Sequence, residues 1–233
     1  MRLRRAASSL AIVTACGLAL ASCGGGREPT ACYLLDWGGS TRAIQSDYMD
    51  AFVDATERDM REGNAVRLLL VRGDPRTESV VLTATFAGLD SLEQQGERLQ
   101  RRGRLLSRLE SQIDDVEAGV GANTPGSAIT AGIDVLGAGD CDAGLTAFTD
   151  GLETDAFSVY RDDITTAQGR RQLAQALDGD QALGDLTDVM VAMPFGGIVP
   201  TGSTLPDERK RALKALWEEV VKTAGGTLTW GQQ

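Results

Sequence analysis

No histidine occurs among the 233 residues. Its absence removes every mechanism built on an imidazole, including Ser-His-Asp hydrolysis, Cys-His proteolysis and HExxH zinc chemistry. Lysine is scarce as well: Lys210, Lys214 and Lys222 are the only ones among 23 basic residues. Acidic residues number 33, and the formal net charge is −10. The first 22 residues carry Arg2, Arg4 and Arg5 and no acid, so the remainder is more negative still, at −13. A surface of that sign repels phosphate backbones, and nucleic acid is not expected as a partner. The chain has no Gly-x-x-x-x-Gly-Lys-Ser/Thr phosphate loop, and Gly137-x-Gly139 precedes a strand pattern where a dinucleotide fingerprint needs a helix. With 42% hydrophobic and 24% charged residues, 28 glycines and 6 prolines, the composition is globular. The length suits one domain with a full core.

Residues 1–22 read as a secretory signal peptide. Arg2, Arg4 and Arg5 form a positive start, and Leu10 to Ala21 is an apolar stretch of about a dozen residues, shorter than the roughly 20 that span a bilayer. The stretch ends in Leu20-Ala21-Ser22-Cys23, followed by Gly24-Gly25-Gly26. This resembles the bacterial lipobox. The resemblance implies cleavage before Cys23 and acyl chains on its sulfur and amine. Several chains on one residue make a stable anchor, since each buried CH₂ contributes about 0.8 kcal/mol. The expected location is the extracytoplasmic face of the cell membrane, held by lipid. Residues 23–30 then form the lipidated cysteine and a flexible tether, because Gly24 to Thr30 offers no apolar side chain to bury. Cys16 leaves with the signal and Cys23 carries lipid. Cys32 and Cys141 remain, an even pair in an oxidising compartment, which points to a disulfide over two separate buried thiols.

From residue 31 onward, strand and helix patterns alternate. Ala31–Asp36 is a short apolar run ending in an acid, as a buried strand does. Ile44, Tyr48, Phe52 and Ala55 line one face of a helix starting near Thr41 and stopped by Gly63-Asn64. Strands are expected at Ala65–Val71 and Ser79–Phe86. A long helix over Leu89–Ala118 carries Leu92, Leu99, Leu106 and Ile113 seven apart, with Leu109 and Val116 in support. Gly96 and Gly103 inside it favour a helix lying on a sheet over a coiled coil. Its Arg98, Arg101, Arg102, Arg104 and Arg108 interleave with acids at helical spacing, as on a solvated, salt-laced face. Further helices are expected at Ala128–Leu136, Thr165–Leu177 and after Pro206-Asp207-Glu208, where proline and acids mark the first turn. Further strands are expected at Gly144–Thr149, Asp188–Phe195 and Thr227–Trp230. The alternation predicts an α/β fold with a doubly wound, mostly parallel sheet, helices on both faces, and a single domain over residues 31–233.

Ligands of such sheets bind at the carboxyl ends of the strands. Asp36-Trp37-Gly38-Gly39-Ser40-Thr41 follows the first strand, and Thr149-Asp150-Gly151-Leu152-Glu153 follows the fourth. Ala122-Asn123-Thr124-Pro125-Gly126 enters a helix on the same side. This order of motifs resembles the von Willebrand factor type A (vWA) domain. In that family Asp-x-Ser-x-Ser, a loop threonine and Thr/Ser-Asp-Gly form a metal-ion-dependent adhesion site. The resemblance covers the whole domain and implies Asp36, Ser40 and Asp150 as ligands of Mg²⁺ or Mn²⁺. The fourth is Thr124 if the loop is aligned by identity, or Asn123 if it is aligned by the residues that follow. Hard cations take carboxylate and hydroxyl oxygens, so the chemistry is coherent. Gly38 stands where the family has its first serine, which implies a weak or vestigial site. Without an ion, Asp36 and Asp150 would cap loops and helix starts by hydrogen bonds.

The resemblance implies a membrane-anchored module that binds a protein partner and is not an enzyme. Two alternatives differ in class. One is a carboxylate-based hydrolase using Asp36, Asp150 and Glu153 as acid and base, against which stands the lack of a nucleophile beside a base. The other is a small solute-binding lipoprotein, although those usually need two lobes. A haloacid dehalogenase-type phosphatase would need Asp-x-Asp, and residue 38 is glycine. Trp37 is either a contact aromatic or a packed loop residue, and Trp217 and Trp230 belong to the core or its edge.

Overall fold

The computed structural model describes residues 28–73, 81–86, 92–118, 128–137, 140–153, 156–160, 163–179, 183–198 and 205–231. Cys23, Asn123 and Thr124, with the expected signal peptide, lie outside the described residues. The strands are β1 (Thr30–Asp36), β2 (Ala65–Val71), β3 (Val81–Thr85), β4 (Leu145–Phe148), β5 (Met190–Met193) and β6 (Thr227–Trp230). The helices are α1 (Gln45–Glu62), α2 (Leu92–Ala118), α3 (Ile129–Leu136), α4 (Ala167–Gly179) and α5 (Asp207–Thr223). A 3₁₀ turn over Gly39–Ile44 joins β1 to α1.

The strands form one sheet in the order β3-β2-β1-β4-β5-β6. All neighbours are parallel except β2 and β3. The order places the first strand in the middle and reverses direction between β1 and β4, which is the switch point of a doubly wound sheet. The mixed α/β fold with a mostly parallel sheet is therefore the expected one, and it is consistent with a vWA-like architecture. At the switch point Leu35 pairs with Phe148, which sets Asp36 beside Thr149 and Asp150 at the carboxyl edge.

Side-chain alternation along β1 divides the core. Cys32 and Leu34 point to one face, where they meet Ile129 and Ile133 of α3 and, further along the sheet, Leu213, Leu216 and Trp217 of α5. Tyr33 and Leu35 point to the other face, against Tyr48 and Phe52 of α1 and Leu105 and Leu109 of α2. A strand buried on both faces needs this continuous apolar run. α3 lies very close to β1 and β2: a Cβ on Gly132 would fall 2.8 Å from both Leu34 Cδ1 and Val71 Cγ2. The structure contains the Cys32–Cys141 disulfide, with Cα atoms 5.5 Å apart. Cys32 lies in the first turn of β1 and Cys141 just before β4, at the amino edge of the sheet, opposite the Asp36 loop.

Two expectations about α2 change. Leu99 is 52% exposed, while Leu105, outside the heptad, is 2% exposed. The buried pair Leu105 and Leu109 is spaced four apart, the spacing of one face of a helix that packs on α1 and β3. The arginine face is also more than a solvated one. Arg101 does pair with Glu97 at 2.6 Å. Arg98 and Arg101, however, also donate to the carbonyls of Phe86 (3.2 Å) and Thr85 (2.8 Å), and Arg102 donates to Val53 O at 3.1 Å. These guanidinium groups fasten α2 to the end of β3 and to α1 by donating to backbone carbonyls of both. Among the described residues no helix is long and apolar enough to cross a membrane.

Candidate functional site

The site is built where β1 and β4 end side by side. Asp36 is the last residue of β1 and is fully buried. Its Oδ1 accepts from Gly38 N at 2.9 Å, and its Oδ2 accepts from the Thr149 hydroxyl at 2.8 Å. Thr41 turns the following loop back, donating from its hydroxyl to Asp36 O (2.9 Å) and Gly38 O (3.0 Å). Asp36 thus caps its own loop, as a short acidic side chain does at a turn, and is tied across to β4 as well.

Asp150 is also fully buried. Its Oδ1 accepts from Leu152 N at 2.8 Å. Its Oδ2 is buried and has no hydrogen-bond partner. Burial pushes the Asp150 carboxyl up to about 7, and the neighbouring charge of Asp36 pushes in the same direction. The Leu152 amide and the Ser40 hydroxyl act against that rise. Ser40 therefore lies beside the Asp150 carboxylate, though not at hydrogen-bond geometry to Oδ2. Asp36 and Ser40 both act on the Asp150 carboxyl, so the three lie in one region.

Three aromatic residues hold the Asp150 loop, a role the sequence reading did not assign. Trp217 donates from Nε1 to Gly151 O at 2.9 Å. The Trp230 ring lies across Gly151, Gly196 and Gly197, where added Cβ atoms would stand 2.7, 2.6 and 3.6 Å from it. Gly197 N in turn donates to Asp150 O at 2.9 Å. Phe157 meets Trp217 edge-on at 5.8 Å between centroids. Both tryptophans sit at the core and its edge, as expected. The only sequence signal for their further role was the set of glycines facing them, which the chain places far apart.

Glu153 serves elsewhere. Its Oε2 accepts from Thr130 N (2.8 Å) and the Thr130 hydroxyl (3.0 Å) at the start of α3. A carboxylate there satisfies a backbone donor that the first helical turn leaves open and faces the positive end of the helix dipole. Trp37 is buried and packs with the α1–α2 side of the core, and its Nε1 has no hydrogen-bond partner.

The residues present suit a hard cation. Two carboxylates and a hydroxyl converge, all donors are oxygens, and one buried carboxylate oxygen is orphaned. Asp36 and Asp150 would hold the ion directly or through water, with Ser40 beside them. Gly38 contributes only backbone. Among the described residues no cluster of three or more His, Cys, Asp or Glu side chains is placed to hold a metal, so any ion here would depend on hydroxyls and water for the rest of its shell.

A concavity of about 700 Å³ lies elsewhere, on the face of β4, β5 and β6 beside α1, and includes none of these three residues. Its polar lining is internally paired: the Tyr33 hydroxyl donates to Asp59 Oδ2, and Asn64 Nδ2 donates to Asp59 Oδ1 at 3.0 Å. Burial and the Asp59 contact hold the Tyr33 hydroxyl well above its ordinary pKa, so it remains a neutral donor.

The fold and this loop set define an α/β protein with a polar centre at the switch point of its sheet. No protein-family model matches the sequence, and no curated protein matches it. Among solved structures, the pilus adhesin SpaC of Lactobacillus rhamnosus GG, in its open conformation, is similar at 11% identity and a TM-score of 0.46. The similarity covers 89% of this chain and 28% of the adhesin. This chain thus spans less than a third of that protein's length.

Proposed function

We propose that this chain is a lipid-anchored, extracytoplasmic vWA-like module that binds a protein partner at the carboxyl end of its sheet, assisted by Mg²⁺ or Mn²⁺. The observation that carries this reading is the orphaned Oδ2 of Asp150, buried beside the carboxylate of Asp36. A divalent ion would offset the repulsion between the two carboxylates and give that oxygen a partner. Gly38 leaves a coordination place to water or to an acidic side chain of the partner. Anchoring rests on the Leu20-Ala21-Ser22-Cys23 motif and the glycines after it.

Millimolar Mg²⁺ or Mn²⁺ should raise the melting temperature of the wild-type protein, because a ligand that binds only the folded state stabilises it. Asp36→Ala should abolish the rise, and Gly38→Ser should enlarge it by restoring a hydroxyl. No response in either wild type or Gly38→Ser would reject metal assistance.

A carboxylate-based hydrolase is the second reading. The raised pKa of Asp150 favours it, since a carboxyl titrating near neutrality suits a general acid. Against it, Glu153 is engaged at the start of α3. A loss of hydrolysis in Asp150→Asn against a panel of ester and glycoside substrates would decide for this reading.

A further inference from the structure

Tyr48 sits in the first turn of α1, just beyond the 3₁₀ turn that carries Ser40. Its ring is fully buried. It packs edge-on against Phe195 with centroids 4.8 Å apart and tilted against Phe148 at 6.4 Å. Both phenylalanines adjoin segments of the candidate site in the chain. Phe148 immediately precedes Thr149-Asp150, and Phe195 precedes the Gly196-Gly197 pair whose second amide holds Asp150 O. The ring is therefore wedged between α1 and the loop that carries Asp150.

Its hydroxyl is buried and has no hydrogen-bond partner. Leaving such a group unsatisfied destabilises the fold, and phenylalanine would fill the same space without that cost. The charges of Asp36 and Asp150 both push the hydroxyl's pKa up, in the same direction as burial. Burial is the larger cause of its raised pKa. The phenol is thus held neutral and keeps a proton to donate in a hydrogen bond. Two buried groups of this region are then unsatisfied: a donor on Tyr48 and an acceptor, Oδ2, on Asp150. One water molecule between them would satisfy both, accepting from the phenol and donating to the carboxylate. Its second lone pair remains for a cation.

We propose that Tyr48 is a positioning residue of the ion site, and that its hydroxyl holds the water that takes the coordination place left by Gly38. This inference rests on the ion-site reading of Asp36 and Asp150. It explains how the site functions without the serine: a hydroxyl from α1, acting through water, replaces a hydroxyl from the loop.

The test is a double-mutant cycle on the full chain, purified in detergent, with Mn²⁺ affinity read by calorimetry and melting temperature read in ion-free buffer and in Mn²⁺. Tyr48→Phe should leave the ion-free melting temperature unchanged or raise it, since the lost hydroxyl bonds to nothing in the protein. It should weaken Mn²⁺ binding roughly tenfold, the scale seen when a residue supporting a metal's shell is removed. In the Gly38→Ser background the same substitution should cost little, because the restored serine displaces the water. Equal Mn²⁺ affinity in wild type and Tyr48→Phe overturns the inference and leaves the ion site standing. So does a loss of the same size in the Gly38→Ser background, or a loss accompanied by a lower ion-free melting temperature. No Mn²⁺ binding by the wild type overturns the ion site and this inference with it.

Discussion

Thr149 donates a hydrogen bond from its hydroxyl to Oδ2 of Asp36 at 2.8 Å, between residues 113 positions apart in the chain. The Thr149 hydroxyl oxygen in turn accepts from Gly151 N at 3.0 Å. One hydroxyl thus joins the end of β1 to the loop after β4, and it orients the Asp36 carboxylate at the point where Asp150 begins. Thr149→Val keeps the shape and removes both bonds. The expected cost is about 1–3 kcal/mol, or a fall of about 2–4 °C in melting temperature for each kcal/mol in a domain of this size. Thr149→Ser should restore most of the loss. If valine and serine behave alike in thermal melts, the hydroxyl has no such role.

The Asp150 carboxyl, pushed up to about 7 by burial and by Asp36, makes the ion-free protein pH-sensitive. Below the ordinary aspartate value of 3.8, the carboxyl is protonated in both folded and unfolded chains, and nothing is lost. Between there and about 7 the unfolded chain releases the proton while the folded one keeps it, so stability falls as pH rises. Above that window both forms are ionised and the whole penalty is present, on the order of 4 kcal/mol. Denaturant melts in chelator should therefore show Asp150→Asn gaining on the wild type as pH goes from 5 to 8. Parallel pH profiles for the two proteins would contradict this.

Gly151 has φ of +82°, and a Cβ there would stand 2.7 Å from Trp230 Cη2 and 3.3 Å from Trp217 Nε1. Gly151→Ala meets both backbone strain and overpacking, each worth roughly 1–3 kcal/mol. The expected outcome is a melting temperature lowered by several degrees and a changed tryptophan emission, since both indoles must move. Trimming the ring with Trp230→Leu in the alanine background should recover part of the loss. A silent Gly151→Ala would mean that the indoles do not hold the Asp150 loop.

Cys23→Ala should release the protein from the membrane fraction to the soluble one, because the acyl chains proposed for that sulfur and amine are the anchor. Mass spectrometry of the wild type should show a cleaved N-terminus at Cys23 carrying lipid. A variant that still partitions with membranes would end the anchor proposal.

Much of the architecture is legible in short-range patterns. The apolar run from Ala31 to Leu35 marks a strand buried on both faces, and the structure buries all five residues. The spacing of Leu213, Leu216, Trp217, Val220 and Val221 marks the inward stripe of α5, and all five are buried. Asp36 and the Thr149-Asp150-Gly151 run stood out because acids and glycine interrupt apolar strands at their ends. The carbonyl contacts of the α2 arginines are not legible in the sequence, for a physical reason. Charge spacing along one helix reports which acids lie a turn away, as with Glu97 and Arg101, but it carries no information about carbonyls on another element such as Phe86 O or Val53 O.

By itself the sequence determined what depends on local chain geometry: the alternation of strand and helix, the apolar faces, the acids at strand ends, and the exclusion of imidazole chemistry by the lack of histidine. The tertiary structure decided which distant groups meet. It set Trp230 over Gly151, Gly196 and Gly197, gave Glu153 to the start of α3, and left Tyr48 OH and Asp150 Oδ2 buried without hydrogen-bond partners. Whether a polar atom is satisfied depends on its neighbours in space. Those neighbours come from strands and helices brought together only when the sheet reverses direction between β1 and β4.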